Sequence, residues 1–261
     1  MSTQRHNKFV RSKEPPGKLV IGERDLRILR ALAEHRFLTS EQIFALDGGG
    51  TRNLQRRLQY LFHLGFVDRP AQQLSFDRPQ SHMVYALGDK GADLLCERPA
   101  WPRGKVDWSA KNRQASASYI WHGLMVSQFL TVLTLALRGN SANLVNWQQG
   151  AELRDHVEVQ GKRLAIVPDA FFTIEEGDDL LHFFLEADRS TMTLKRFWGK
   201  MRAYWKWWKQ ERQTEKLGIS RFRVLTITLS EACTESLREV TRRADDLRRG
   251  STMFLFACKK S

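Results

Sequence analysis

The sequence predicts an α/β protein, α+β overall, in which a helical domain with a terminal strand pair precedes a mixed-sheet domain. The chain has 261 residues, more than one hydrophobic core usually serves. Helical periodicity dominates residues 21–98, whereas strand-like and helical runs alternate over residues 115–261. The 42% hydrophobic and 27% charged residues indicate a packed chain and exclude a disordered or collagen-like one.

The charge of the chain indicates a polyanionic partner. Its 42 lysines and arginines exceed its 29 aspartates and glutamates, which gives a net charge of +13. Both predicted domains carry this surplus, a distribution that favours nucleic acid over a membrane surface. Because the start of the chain lacks the apolar segment of a secretory signal, we expect a cytoplasmic protein with no membrane partner. The three cysteines show no zinc-ligand spacing.

The predicted order of elements starts with a flexible basic arm over residues 1–20, which are polar and interrupted by two adjacent prolines. Leucines spaced by three then predict an amphipathic helix from Glu23 to about His35. A hydroxyl followed three residues later by a glutamine predicts a second helix that starts at Thr39 and ends near Leu46.

A third helix is predicted from Thr51 to Gly65, with its leucines on one face. Short strand-like runs at 66–67 and 82–87 follow and predict a hairpin. Three short helices and a hairpin are the element order of a winged helix-turn-helix, which we assign to residues 21–98. The residues from 99 to 114 contain prolines and a glycine and are predicted to be a linker.

In a winged helix-turn-helix, the third helix enters the major groove of double-stranded DNA. The polar side chains in its first turns and on its outer face are therefore the candidate DNA contacts. They are Arg52, Asn53, Gln55, Arg56 and Gln59. The sequence leaves open whether the chain acts as a homodimer or within a larger nucleoprotein complex.

The second domain, residues 115–261, is predicted to begin with a long apolar helix over 115–137. Strands and helices then alternate around an early hairpin, which indicates a mixed sheet with helices packed on it. The predicted strands are 142–147, 164–174, 180–187, 222–229 and 253–257, and the helices are 191–215 and 231–249.

Two carboxylates in this sheet are candidate catalytic and metal-binding groups. Asp169 and Glu186 are expected near the same end of one hairpin, where a hard divalent cation would bridge them. Asp188 lies two residues after Glu186, and Lys200 on the next helix would supply positive charge. The alternative is that all four are solvated strand-end residues, because acidic turns commonly flank hairpins.

The helix over residues 191–215 interleaves aromatic and basic side chains, a composition that suits stacking on unpaired bases. Trp207 is the candidate base contact. The other apolar residues step by three or four and are expected to form a core stripe. They are Leu194, Phe197, Met201, Tyr204 and Trp208.

The chain resembles the replication-relaxation family, whose members are mostly encoded on plasmids and other mobile genetic elements. The resemblance covers roughly residues 20–210, and short motifs in a common order carry it. They are Arg24 to Leu29, Leu38-Thr39, Arg57-Leu58, Gly65-Phe66-Val67, His122-Gly123-Leu124, Pro168-Asp169-Ala170, Glu186-Ala187-Asp188, Lys200 and Tyr204. It implies a winged-helix DNA-binding part and a role in plasmid replication or DNA relaxation.

The second domain also resembles the PD-(D/E)xK nuclease core. Pro168-Asp169 and Glu186 match that signature, but Asp188 stands where its lysine is expected, and Lys195 or Lys200 would have to replace it. The resemblance therefore implies either a degenerate core that binds without cutting and needs no cofactor, or a Mg²⁺-dependent endonuclease or nickase.

Three functions remain open from the sequence. The first is a DNA-binding regulator or accessory factor of a mobile element, and the second is a metal-dependent nuclease guided by the winged helix. The third is a protein-binding module of a nucleoprotein complex, which the net charge makes less attractive.

Overall fold

The computed structural model describes residues 8–12, 20–75, 82–98, 101–102, 106, 108–159, 161–190, 192–245 and 249–258. The chain divides into two compact units, Met1–Leu135 and Ala136–Ser261. Helices occur throughout, and a mixed sheet occupies the second unit, so the predicted α/β class is confirmed.

The first unit begins with helices and a small antiparallel sheet. The helices are α1 (Glu23–His35), α2 (Ser40–Asp47), α3 (Thr51–Leu64) and α4 (Asp89–Cys96), and the strands are β1 (Phe37–Thr39), β2 (Val67–Asp68) and β3 (Val84–Leu87). Strand β3 lies between β1 and β2. The predicted hairpin is present as β2 and β3. The sequence interpretation missed β1, which is only three residues long.

Local chemistry sets two helix boundaries in this unit. The backbone N–H of Gln42 donates to Thr39 Oγ1 at 3.2 Å, and the N–H of Thr39 donates to Gln42 Oε1 at 2.9 Å, so α2 begins with a reciprocal cap. Helix α3 ends at Gly65, whose φ of +88° favours glycine. The leucines of α1 and α3 pack into one core, as their periodicity predicts.

Residues 8–12 of the predicted arm are held against the first unit. Arg11 donates from Nε to the carbonyl of Phe62 at 3.0 Å and forms an ion pair with Asp68. The N–H of Ser12 donates to Nδ1 of His63 at 3.0 Å. The expectation of a flexible arm is therefore wrong for this segment, because Arg11 finds a buried carboxylate. Residues 1–7 and 13–19 lie outside the described part of the chain.

Most of the long apolar helix belongs to the first unit. Helices α5 (Ser109–Gln114) and α6 (Ala117–Leu137) follow α4, and the two compact units divide after Leu135. This differs from the predicted organisation, with a linker at 99–114 and a second domain from residue 115. The physical reason is that the start of α6 is apolar and packs on the small sheet.

Helix α6 contacts β1 closely. Ile120 and Leu124 share an apolar cluster with Phe37, and a Cβ added at Gly123 would lie 2.9 Å from the Phe37 ring. A larger residue would therefore push the helix away from the strand. By length and composition alone, this helix is long and apolar enough to cross a membrane, a test that core helices of soluble proteins also pass.

The second unit is built around a five-stranded mixed sheet in the order β10-β9-β8-β7-β4. Strands β4, β7 and β8 pair antiparallel, and β8, β9 and β10 pair parallel. Strands β5 and β6 form a separate antiparallel ribbon. The strands are β4 (Ala142–Gln148), β5 (Asp155–Val159), β6 (Lys162–Ile166), β7 (Ala170–Glu176), β8 (Asp179–Ala187), β9 (Arg223–Thr228) and β10 (Phe254–Cys258).

The single strand predicted over 164–174 is in fact two strands, β6 and β7, in different sheets. The break falls at Pro168, which has no backbone N–H to donate to a ladder. Asp169 follows at the start of β7, where its own N–H donates to the carbonyl of Leu185 at 3.0 Å.

The core of the second unit lies between the sheet and α7 (Leu194–Lys209), which α8 (Arg212–Leu217) and α9 (Glu231–Thr241) follow. Thr193 caps α7 by accepting from the N–H of Arg196 at 3.3 Å. On the sheet, the Phe184 ring lies 5.5 Å from that of Trp207 and 5.0 Å from that of Phe222, both edge to face. This packing fixes which residues of α7 face β8.

Candidate functional site

Helix α3 presents a polar face to solvent. Its leucines are buried, and the five candidate DNA contacts all lie on the exposed side of the helix. They are Arg52, Asn53, Gln55, Arg56 and Gln59. The helical period of the sequence thus gives the face on which these side chains lie.

Two adjacent arginines of α3 have different surroundings. Arg56 is exposed, and its guanidinium lies 5.6 Å from the ring centre of Tyr60, one turn further along the helix. Arg57 turns inward and donates from Nε to Asp25 of α1 at 2.5 Å. Asp25 is buried and also accepts from the N–H of Gly22 at 2.8 Å. Arg56 is therefore available to a ligand, whereas Arg57 holds α3 to α1.

The hairpin that would serve as the wing is described at its base only. Residues 76–81, at its predicted tip, lie outside the described part of the chain. At the base, the guanidinium of Arg69 lies 4.4 Å from the ring centre of Phe62 and 5.3 Å from that of Tyr85. Arg69 thus packs the strand pair on the end of α3.

In the second unit, Glu186 lies on β8 opposite Thr226 of β9 and is 3% exposed. Lys200 of α7 forms an ion pair with its Oε2. Tyr204, one turn further along the helix, donates its hydroxyl hydrogen to Oε1 at 2.6 Å. Both oxygens of the carboxylate are therefore engaged by one helix.

Burial dominates the electrostatics of this group. The pKa of Glu186 is raised from 4.5 to about 7 because burial, the largest cause, and the charge of Asp169 outweigh the lowering effects of Lys200 and Tyr204. Burial and the neighbouring Glu186 raise the pKa of Tyr204 well above its ordinary value, so its hydroxyl remains a donor. Glu186 is therefore divided between its acid and carboxylate forms near neutral pH.

Asp169 joins this group, as predicted, but its side chain also has a structural role. Its Oδ2 accepts from the N–H of Ala187 at 2.7 Å, at the point where β8 ends. The break at Pro168 gives Asp169 this position beside the strand end. The structure therefore brings together Asp169, Glu186 and Lys200.

Asp188 has partners outside the group formed by Asp169, Glu186 and Lys200. Its N–H donates to the carbonyl of Ile227 at 2.9 Å, which extends the pairing of β8 with β9 by one residue. Its Oδ2 accepts from the thiol of Cys233 on α9 at 3.5 Å. The contacts of Asp188 are therefore with β9 and α9, and its place in one cluster with Asp169, Glu186 and Lys200 stays a prediction.

Trp207 is a core residue, and the prediction that it contacts bases is wrong. It is 1% exposed, and its Nε1 donates to Asp155 Oδ2 at 2.8 Å. The aromatics of α7 that reach solvent are Trp198, which is exposed, and Trp205 and Trp208, which are partly exposed and have Lys209 above their rings. The error arose because the helix turns Trp207 towards the sheet, together with the predicted core residues Phe197 and Met201.

The donor set does not favour a metal ion at Asp169 and Glu186. Among the described residues, no group of three or more histidine, cysteine, aspartate or glutamate side chains is placed to hold one. Lys200 and Tyr204 engage both Glu186 oxygens, and Ala187 donates to Asp169. A hard cation would have to displace these partners, so the group fits a carboxylate neutralised by lysine better than a magnesium site.

Sequence reasoning missed the role of Tyr204, which it assigned to packing alone. The signal that was available is its spacing of four from Lys200, since residues so spaced share a helix face. It also missed the carboxylate of Asp155, to which Trp207 and Arg212 both donate.

Comparison with known proteins identifies the family. A family model described as replication-relaxation matches residues 29–221, which is more than half of the 261 residues. The match includes α3, Asp169, Glu186 and Lys200. Comparisons with curated proteins and with solved structures gave no match. The chain therefore belongs to the replication-relaxation family.

Proposed function

We propose that this protein binds double-stranded DNA of a plasmid or other mobile element and acts in its replication or relaxation, or as a regulator. Membership of the family supports a role in replication or relaxation of mobile elements. In this proposal residues 21–98 of the first unit form a winged helix-turn-helix, and the second unit is a nuclease-like core that does not cut.

The exposed face of α3 is the observation that carries DNA binding. An arginine can bond two acceptors on guanine, and asparagine or glutamine can bond both groups on the adenine edge. The solvent side of α3 offers both kinds of side chain within its first turns, at Arg52, Asn53, Gln55 and Arg56. The net charge of +13 adds attraction to phosphates of any sequence.

The arrangement around α3 also supports its assignment as a recognition helix. The turn between α2 and α3 contains Gly48, Gly49 and Gly50, and the first two adopt positive φ values of 76° and 83°. A glycine-containing turn between two short helices is typical of a helix-turn-helix. In the proposed winged helix-turn-helix, the strand pair that follows α3 is the wing.

The Glu186 group supports a core that does not cut. A nuclease of this class needs carboxylates free to hold a cation that activates water. Here, a buried glutamate is engaged by Lys200 and Tyr204, and its pKa of about 7 leaves part of it protonated at neutral pH. Asp188 stands where the lysine of the nuclease signature is expected.

One observation favours the alternative, a magnesium-dependent endonuclease or nickase. Lys200 brings an ammonium group to Glu186 from α7, as the missing signature lysine would from the strand. Incubation of the purified protein with supercoiled plasmid and Mg²⁺, with Asp169→Asn as control, discriminates between the two. The proposed function predicts DNA binding without nicking, and nicking that Asp169→Asn abolishes would replace it with the alternative.

DNA binding itself is tested by fluorescence anisotropy with labelled duplexes and the full-length chain. Arg52→Ala and Arg56→Ala are expected to weaken binding. Arg238→Ala is the control, because Arg238 is an exposed arginine that pairs with Glu235 on α9. Equal affinities for all of these proteins would contradict the assignment of α3 as the recognition helix.

A further inference from the structure

A cavity of about 280 Å³ in the first unit has several charged and polar residues among its lining, and DNA recognition by α3 does not explain them. The segment at residues 8–12, the end of α3, strand β2 with the turn after it, and helix α5 all contribute to its wall. The polar and charged residues that matter here are Arg11, Asp68, Arg69, Asn112 and Arg113.

Asn112 is a buried donor without an acceptor. The residue is 1% exposed, and its Oδ1 accepts from Nε of Arg36 at 2.7 Å. Its Nδ2 has no hydrogen-bond partner among the described residues. Buried polar atoms nearly always have a partner, so this amide indicates an acceptor that the described residues do not supply.

Arg69 provides a second donor of the same kind. Its Nη1 donates to the carbonyl of Lys8 at 2.9 Å, and its Nη2 donates to the hydroxyl of Tyr85 at 3.3 Å. Its buried Nε has no partner within the described ranges. Two residues that line the cavity, one in the turn after β2 and one in α5, therefore each carry a buried donor without a partner among the described residues.

The charges around the cavity are predominantly positive. Arg11 and Arg113 both pair with Asp68, and Arg113 also pairs with Asp89, which lies outside the lining. Even with Asp89 included, the three lining arginines outnumber the two carboxylates. The cavity therefore retains net positive charge together with unused N–H groups, a combination that suits an oxyanion with several acceptor atoms.

We propose that this cavity binds a phosphate group, held by the Asn112 amide and by Arg69, with Arg11 and Arg113 supplying charge. Phosphate provides more acceptor oxygens than a carboxylate does, and its charge of about −1.5 to −2 at neutral pH matches a cluster of arginines better. The phosphate belongs either to the backbone of bound DNA or to a small phosphorylated molecule.

Calorimetric titration of the full-length protein with inorganic phosphate, pyrophosphate and AMP tests the proposal, alongside duplex affinity. Asn112→Asp keeps the acceptor for Arg36 and replaces the donor with an oxygen. The matched control is Lys111→Gln, which changes the net charge by the same amount at an exposed position of α5. Acetate serves as the carboxylate probe.

A small-molecule phosphate is indicated if at least one phosphate probe binds the wild type and Asn112→Asp lowers the affinity for that probe about tenfold or more. In that case Lys111→Gln should bind the probe as the wild type does, and Asn112→Asp should leave the affinity for duplex DNA unchanged. A backbone phosphate is indicated if only duplex affinity falls by that factor in Asn112→Asp. The proposal is overturned if acetate binds as tightly as phosphate, or if Asn112→Asp alters neither affinity.

A second variant tests the proposal if Asn112→Asp does not fold, which circular dichroism would detect. Arg69→Met keeps an apolar side chain against Phe62 and removes the unused Nε donor. The same tenfold loss of phosphate or duplex affinity is expected, and unchanged affinities in this variant would also overturn the proposal.

Discussion

Tyr204 donates its hydroxyl hydrogen to Oε1 of Glu186 at 2.6 Å, and Lys200 pairs with the other oxygen of the same buried carboxylate. The hydrogen bond joins the central strand β8 to α7 across the core. Because both partners are buried, neither can replace the other with water if the bond is lost.

Tyr204→Phe is therefore expected to lower the free energy of unfolding by about 1 to 3 kcal/mol, since it leaves a buried acceptor unsatisfied. Tyr60→Phe is the matched control, because the Tyr60 hydroxyl contacts only the exposed Arg56 among the described residues. Denaturant unfolding of both variants measures the difference. A loss no greater in Tyr204→Phe than in Tyr60→Phe would contradict the importance of the buried bond.

The raised pKa of Glu186 predicts how stability changes with pH. Its carboxyl has a pKa of about 7 in the folded chain and an ordinary value of 4.5, so between these values the folded state binds more protons. The contribution of Glu186 to the free energy of unfolding is thus fully present below about pH 4.5. It falls by on the order of 1 to 3 kcal/mol as pH rises towards 7.

Glu186→Gln is the variant that measures this contribution, since it removes the titrating group. His35 makes stability rise with pH instead, because burial lowers its pKa from 6.5 to about 4. Since His35 is present in both proteins, its effect cancels in the comparison. The stability of the wild type relative to Glu186→Gln should therefore fall from pH 4.5 to 7. A constant difference across that range would show that Glu186 does not titrate there.

For α3, Arg56→Ala is expected to weaken binding to a preferred duplex by about 1 to 3 kcal/mol if Arg56 contacts a guanine edge. A phosphate contact would instead weaken binding to all duplexes alike. Anisotropy titrations with a preferred and a scrambled duplex distinguish the two. Unchanged affinity for both duplexes would remove Arg56 from the interface.

Affinity for DNA is expected to fall by orders of magnitude between about 50 and 200 mM salt, because several basic residues would displace counterions. Deleting residues 1–18 should reduce the slope of log affinity against log salt. Arg11→Ala is the necessary comparison, since Arg11 also holds Asp68 and its loss alters the first unit as well. A slope that the deletion leaves unchanged would mean that the arm does not contact DNA.

Magnesium ions are expected to change the melting temperature little, because Lys200 already neutralises Glu186. Asp169→Asn should then alter stability, and the wild type should have no cleavage activity for it to abolish. Melting curves with and without Mg²⁺, for the wild type and this variant, provide the measurement. A large stabilisation by Mg²⁺ that disappears in Asp169→Asn would indicate a working metal site.

The sequence predicts those features that depend on local chemistry. The cap at Thr39, the end of α3 at Gly65 and the outward face of α3 follow from residue type and helical period. The association of Asp169 with Glu186 also follows, because both lie at one end of a hairpin.

The remaining features depend on contacts between distant parts of the chain. Trp207 and Trp208 are adjacent and chemically alike, and only the position of the sheet decides that Trp207 enters the core. Likewise, Arg11 is an ordinary basic residue of a polar arm until Asp68 is brought beside it. The spacing of apolar residues along the sequence does not show which distant residues a side chain will contact.

The contrast between Arg56 and Arg57 has a consequence for any mutational scan of this protein. An alanine at position 57 would leave Asp25 as an uncompensated charge inside the first unit, so lost DNA binding there would reflect misfolding and not recognition. The double variant Arg57→Ala/Asp25→Asn would recover part of that loss. A library that randomises α3 should therefore leave position 57 unchanged and vary its neighbours.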